Sequence, residues 1–176
     1  MREPTPKKPK WKARLVVRGF EEPKRGGEMN FAGTTESGVV RTMLAVCSSR
    51  RGRGWEAVAA DVSQAFLNAE LVEGSDHPVF VKSPTGDVWR LKKALYGLRA
   101  APKAWQRTLR KIMLESQRWV PMPKHGSTFV ETGGSGMVTV HVDDLLICGT
   151  KGVIEKLLEY LRSRVTLTVN PVTEEP

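Results

Sequence analysis

The chain has 176 residues, enough for one domain with a sizeable core. Its 40% hydrophobic content and mean hydropathy of -0.32 are those of a globular protein. No apolar run reaches the roughly 18 residues of a membrane span, and the charged start MREPTPKKPKWK has no apolar stretch behind it to form a secretory signal, so no membrane partner is expected.

The formal charge of +9 is unevenly spread. Residues 1–25 hold nine Lys/Arg against three Glu, and residues 90–118 hold nine more against Glu115 alone. Two basic blocks on one small domain point to a polyanion, most often nucleic acid, although a basic run can also be a solvated face. Cys47 and Cys148 form no CxxC and, with three scattered histidines, no zinc site. They read as small buried hydrophobes in a reducing compartment.

In chain order, residues 1–11 are basic and rich in Pro and Lys, the composition of a disordered terminus. Lys12 to Gly19 (KARLVVRG) reads as a strand, and Glu21 to Gly33 as a loop. From Thr35 to about Arg51 a helical stripe of Val39, Val40, Met43, Leu44 and Cys47 appears. Thr35 or Ser37 can cap its start, and Gly52 and Gly54 end it. Trp55 to Val62 is a short apolar strand ending near Asp61, and residues 63–68 form a tight turn or short helix. Strands over Val79–Val81 and Val88–Leu91 flank a turn at Pro84-Thr85-Gly86. Tyr96 to Pro102 is loop. Lys103 to Gln117 is a helix with Trp105, Leu109, Ile112 and Met113 on one face and Arg107, Arg110 and Lys111 largely on the other. Gly133 to Gly136 is a flexible loop. Met137 to Gly149 (MVTVHVDDLLICG) predicts a β-hairpin with Asp143 and Asp144 at its tip. A second amphipathic helix over Val153–Leu161, a strand over Val165–Val169 and a polar tail at 171–176 complete the chain. The order of elements predicts an α+β fold, a ferredoxin-like split βαβ sheet with helices on one face.

A single Asp between strands is most often a turn residue. Two adjacent carboxylates repel, and each raises the other's pKa, so the pair needs water or a cation around it. If the strand ending at Asp61 neighbours the hairpin, three carboxylates meet. With no His or Cys among them they are hard oxygen ligands suited to Mg²⁺ or Mn²⁺. Two such ions can stabilise both the attacking and the leaving oxygen of a phosphoryl transfer.

KARLVVRGF, DVSQAFLNAEL, RLKKALYGLRAAPKAW and VHVDDLLICG, in that order, resemble the reverse transcriptase domain of copia-type LTR retrotransposon polyproteins from about Lys12 to Leu161. The resemblance implies fingers and palm over residues 12–170, with the palm core at about 55–170, and RNA-directed DNA polymerase activity. In that reaction a primer 3′-hydroxyl attacks the α-phosphate of a dNTP. Asp61, Asp143 and Asp144 match the catalytic aspartates. Asp61 and Asp143, with the Val62 backbone, would hold two Mg²⁺ (Mn²⁺ as a substitute), and Asp144 would shape the site. Phe66 matches an aromatic that packs under the sugar and selects dNTPs. The amides from Val62 through Ser63, Gln64 and Ala65 would face triphosphate oxygens. Lys12 and Arg14 match a basic strand that contacts the β- and γ-phosphates. Tyr96 and Gly97 match the segment against the nascent base pair, and Val142 would touch the primer end or the dNTP sugar. Arg99, Lys103, Arg107 and Arg110 would be backbone contacts to an RNA or DNA template and its primer.

The sequence departs from the pattern at Ala100, usually Gln; at His141, usually Tyr; in the run FAGTTESGVVR; and at an insert-like GSDHP. The chain stops where a primer grip, thumb and RNase H would follow, and the protease and integrase of the Pol polyprotein do not precede it. It is therefore expected to polymerise poorly alone. The alternative is a nucleic-acid-binding remnant of the same fold without turnover. Such an element implies a cytoplasmic virus-like particle, or the nucleus.

Overall fold

In the computed structural model, residues 13–21, 35–71 and 78–171 are described. The expectations for residues 1–11, Lys12, most of the 21–33 loop, nearly all of the GSDHP insert and the end of the tail lie outside them. The helices are α1 (Ser37–Ser49), α2 (Ala65–Asn68), α3 (Ala101–Glu115) and α4 (Lys151–Arg162). The strands are β1 (Trp55–Val62), β2 (Phe80–Lys82), β3 (Val88–Arg90), β4 (Trp119–Met122), β5 (His125–Glu131), β6 (Gly136–His141), β7 (Asp144–Thr150) and β8 (Leu167–Pro171). β2 and β3 pair as a separate ribbon.

The main sheet runs β4-β5-β6-β7-β1-β8, with every neighbouring pair antiparallel. Within it, β8-β1-β7-β6 is the interleaved double βαβ order expected. β7 lies between β1 and β6, the strands that α3 connects, and β1 lies between β7 and β8, the strands that α4 connects. β4 and β5 extend this core on one side. The sequence does not announce that hairpin, because Pro121 interrupts the apolar run and the buried positions of β5 include the polar Ser127 and Thr128. The Pro sits on the edge strand beside a register shift, where a missing N–H is tolerated.

Alternation along the strands sorts the core onto two faces. Val58, Ala60 and Val62 of β1, with Leu145 and Ile147 of β7, pack under α3 and α4. Trp55 and Ala57, with Leu146 and Cys148, meet α1 through Met43 and Cys47. From Trp55 onward the two long helices thus share one face, as predicted, and α1 covers part of the other. Helix α3 buries Trp105, Leu109, Ile112 and Met113, and each such side chain contributes about 1.5–3 kcal/mol of burial free energy. Helix α4 adds Ile154, Leu157, Leu158 and Leu161, and Tyr160 Oη donates to Ile112 O at 2.9 Å to join the two helices.

Two local expectations change. Residues 13–18 are not a strand; among the described residues they pair with no strand, run irregularly into a short 3-10 turn over Gly19–Glu21, and are tied to the neighbouring loop where Val17 N donates to Tyr96 O at 2.7 Å. Neither Thr35 nor Ser37 caps α1: the N-cap is Glu36, with no side-chain bond. Thr35 Oγ1 instead bonds Val140 O at 2.8 Å and Thr139 Oγ1 at 2.6 Å, fastening the entrance of α1 to β6. Cys47 and Cys148 are buried, as expected, and lie together, where burial and the Cys47 thiol push Cys148 up to about 12. No helix among the described residues is long and apolar enough to cross a membrane.

Candidate active site

The site forms where β1 ends beside the β6–β7 hairpin. Asp61 pairs across the strands with Asp144, which pairs in turn with His141. Directly opposed residues of antiparallel strands point to the same side. The alternation places that side on the α1 face, away from α3 and α4. Asp143 occupies the two-residue turn with Val142. The turn is fixed from two directions: Val62 N donates to Asp143 O at 2.8 Å, and Trp105 Nε1 donates to Val142 O at 2.6 Å. Val142 has φ of 59°, a left-handed conformation that a β-branched residue rarely adopts. Two-residue hairpins of the type with positive φ at the first central position favour Gly there.

Burial and then the charges of Asp143 and Asp144 raise the pKa of Asp61 above the ordinary carboxylate range. The cluster therefore concentrates negative charge, which suits a divalent cation with oxygen ligands. Among the described residues, however, no three Asp, Glu, His or Cys side chains gather closely enough to hold an ion unaided. Substrate phosphates can complete the shell of a hard cation that a protein holds with only one or two carboxylates. An open cleft borders Asp61 and Asp144, and Arg41, His141 and Asn170 also line it.

A second group stands beside α2. The Phe66 and Tyr96 rings meet edge to face at 5.3 Å, and the Arg14 guanidinium lies 4.6 Å above the Tyr96 ring. Three predicted nucleotide-binding residues from three separate motifs thus form one stack, worth roughly 0.5–1.5 kcal/mol for the ring pair and about 0.5–1 for an exposed cation–π contact. The contact depends on the close passage of residues 16–19 against Gly97. A methyl group on Gly97 would collide with the Val17 carbonyl oxygen and approach Val16 Cγ1 at 2.8 Å, and Gly97 has φ of 88°. A methyl on Gly19 would collide with Gly97 O.

The remaining predicted residues divide. The amides of Val62 and Ser63 do not face open space. Val62 N is engaged by Asp143 O and Ser63 N by Thr166 O at 2.9 Å, because the end of β1 is still held by its neighbours. Gln64, with φ of 56°, and the buried Ala65 begin α2. Arg99, expected to contact nucleic acid, also has a structural role: Nε donates to Gly19 O at 2.7 Å and Nη2 to Phe20 O at 3.0 Å, closing the 3-10 turn. Lys103, Arg107 and Arg110 lie along α3, Arg107 and Arg110 on its exposed side. Gly19 and Trp105 were missed as contributors. The RGF of the first motif holds the signal for Gly19; the helical stripe marks Trp105 as core, which its burial also supports.

The family model for reverse transcriptase (RNA-dependent DNA polymerase) matches residues 2–172. The retrovirus-related Pol polyprotein from transposon RE2 of Arabidopsis thaliana is 35% identical over 154 residues, 84% of this chain and 10% of that protein. The corresponding polyprotein from transposon TNT 1-94 of Nicotiana tabacum is 31% identical over 162 residues, 84% of this chain and 12% of that protein. The chain thus spans about a tenth of the length of the curated relatives it matches. Among solved structures, telomerase from Candida albicans in complex with a fragment of telomeric RNA aligns over 82% of this chain and 32% of that one, with 12% identity and a TM-score of 0.46.

Proposed function

The chain belongs to the reverse transcriptase (RNA-dependent DNA polymerase) family, and from that membership we propose that it forms the fingers and palm of a copia-type polymerase that adds dNTPs to a primer on a nucleic-acid template. The observation that carries the reading is the cross-strand pairing of Asp61 with Asp144, with Asp143 in the adjoining turn. Asp61, Asp143 and the Val62 carbonyl would hold Mg²⁺ or Mn²⁺, with Asp144 beside them. Bound there, the ions would supply charge neutralisation at the attacking 3′-oxygen and the leaving pyrophosphate oxygen.

The chain's own residues have the remaining tasks. Phe66, braced by Tyr96, fills the space under the sugar and excludes a ribose 2′-hydroxyl. Arg14 brings positive charge to the triphosphate. Lys103, Arg107 and Arg110 hold backbone phosphates without reading sequence. Binding and orientation of the two substrates supply most of the acceleration in such a transfer.

The test is Mn²⁺ affinity, read by electron paramagnetic resonance, in the wild type and in Asp143→Asn. Removing one ligand charge is expected to weaken binding about tenfold or more, and equal affinities would sink the metal-site assignment. A remnant that binds nucleic acid without turnover is the second reading, favoured by Ala100 standing where the family usually has Gln. It predicts salt-dependent binding of primer–template without extension of oligo(dT) on poly(A) when dNTPs and Mg²⁺ are supplied.

A further inference from the structure

The hairpin turn that carries Asp143 has an unfavourable backbone, and the chain holds it with a side chain from another element. Val142 has φ of 59° in a turn where glycine is the favoured occupant. A β-branched residue stays there only when its surroundings over-determine it. Those surroundings are two hydrogen bonds on consecutive carbonyls: Val62 N to Asp143 O at 2.8 Å and Trp105 Nε1 to Val142 O at 2.6 Å. The first comes from the strand that bears Asp61. The second comes from α3, on the opposite face of the sheet from the carboxylates, and from a side chain only 1% exposed.

An indole N–H has one donor and no acceptor, and its ring is locked in the core by packing. It therefore fixes the direction of the Val142 carbonyl rather than merely tolerating it. That carbonyl belongs to the planar peptide that leads into Asp143. The small apolar pocket beside the contact, lined by Trp105, Leu109, Phe129, Val140 and Val142, leaves Val142 without full packing support on that side. The hydrogen bond supplies what packing does not.

We propose that Trp105 is a positioning residue: through its indole N–H it holds the strained Val142 turn in the orientation that presents Asp143 beside Asp61. The link from turn orientation to metal binding rests on the polymerase reading; the link from Trp105 to the turn does not. This role differs from that of a core tryptophan, because it depends on the donor and on the strain at residue 142. Glycine adopts positive φ freely, so a glycine at 142 removes the need for the tether.

The experiment is a double-mutant cycle with Trp105→Phe, which keeps a ring and loses the donor, and Val142→Gly. The first readout is amide exchange at Val62, whose acceptor is Asp143 O. Trp105→Phe is expected to speed it about tenfold with Val142 present, and by less than about twofold with glycine there. The second readout is Mn²⁺ affinity, expected to follow the same pattern. In the wild type, the Trp105 indole proton should exchange far more slowly than an exposed indole proton, a measurement that needs no variant to fold. Equal effects of Trp105→Phe in both backgrounds would mean packing alone and overturn the proposal, as would rapid exchange of the indole proton. If Mn²⁺ affinity is indifferent to Asp143→Asn while the Val62 coupling is present, the polymerase reading fails and the positioning of the turn stands.

Discussion

Gly97→Ala tests how the first and third motifs act together. The substitution has two costs. Alanine in a left-handed conformation loses about 1–2 kcal/mol, and its methyl group would strike the Val17 carbonyl and Val16. The cheapest escape is not to unfold the sheet but to release residues 13–21. Release sacrifices the Val17 N to Tyr96 O bond, about 0.5–1.5 kcal/mol, and weakens two charged Arg99 bonds to Gly19 O and Phe20 O, about 1.5–3 kcal/mol each. Because these contacts cooperate, the segment's stability should fall by something on the order of 4 kcal/mol rather than by their full sum. Amide exchange at Val17 should then accelerate at least about a hundredfold, trypsin should cut after Arg14 or Arg18, and the Arg14–Tyr96 contact should be lost with part of the affinity for a nucleoside triphosphate. Gly86→Ala is the control. Gly86 has φ of 98°, and a methyl group added there would meet nothing within 4 Å, so it should lose only the left-handed penalty and leave residues 13–21 docked. If Gly97→Ala leaves Val17 exchange unchanged and lowers the melting temperature no more than Gly86→Ala, the docking argument is wrong.

Two further outcomes are expected. In a polymerase-length chain, Phe66→Val should raise the ratio of ribonucleotide to deoxyribonucleotide incorporation about tenfold or more, since a steric gate acts through volume; an unchanged ratio of kcat/KM values would remove the gate from Phe66. Glu131 gives a pH dependence. It is 5% exposed and accepts bonds from Arg118 Nη2 at 3.1 Å and Ser135 N at 3.2 Å. Burial pushes its carboxyl up, but the Ser135 and Gly133 amides and the Arg118 guanidinium outweigh burial and hold it below the usual range. Its contribution is fully present above the unfolded-state value near about 4.3 and is lost as pH falls through the lower folded-state value. Glu131→Gln should therefore cost about 1–3 kcal/mol in urea unfolding at pH 7, and the gap to wild type should close toward pH 3; a gap independent of pH would contradict this.

What the sequence could and could not reveal follows from which forces leave a periodic trace. The strand into Asp61, the hairpin with the Asp143-Asp144 pair and the helices beginning near Lys103 and Val153 each bury one face, and burial writes a period into the residues. The β4–β5 hairpin writes a weaker one, because Thr128 is buried by hydrogen bonding to Thr139 at 3.1 Å rather than by being apolar, and Pro121 belongs to an edge. The KARLVVRG run has the composition of a strand, yet Leu15 and Val16 are 47% and 55% exposed in the described structure, and the described part of the run pairs with no strand. Charge is a poorer guide still. Arg99 and Arg107 look alike as members of one basic block, but the first has carbonyl acceptors at Gly19 and Phe20 while the second lies on the exposed side of a helix. Composition counts guanidinium groups; only folding decides which find a protein acceptor before a phosphate can. The same limit applies to Trp105. Its place in the helical stripe announces a core residue, and no spacing rule could show that its one polar atom would reach a strained carbonyl 37 residues away in sequence. Contacts of that kind join elements that are each legible alone, and here they decide how two adjacent aspartates are presented.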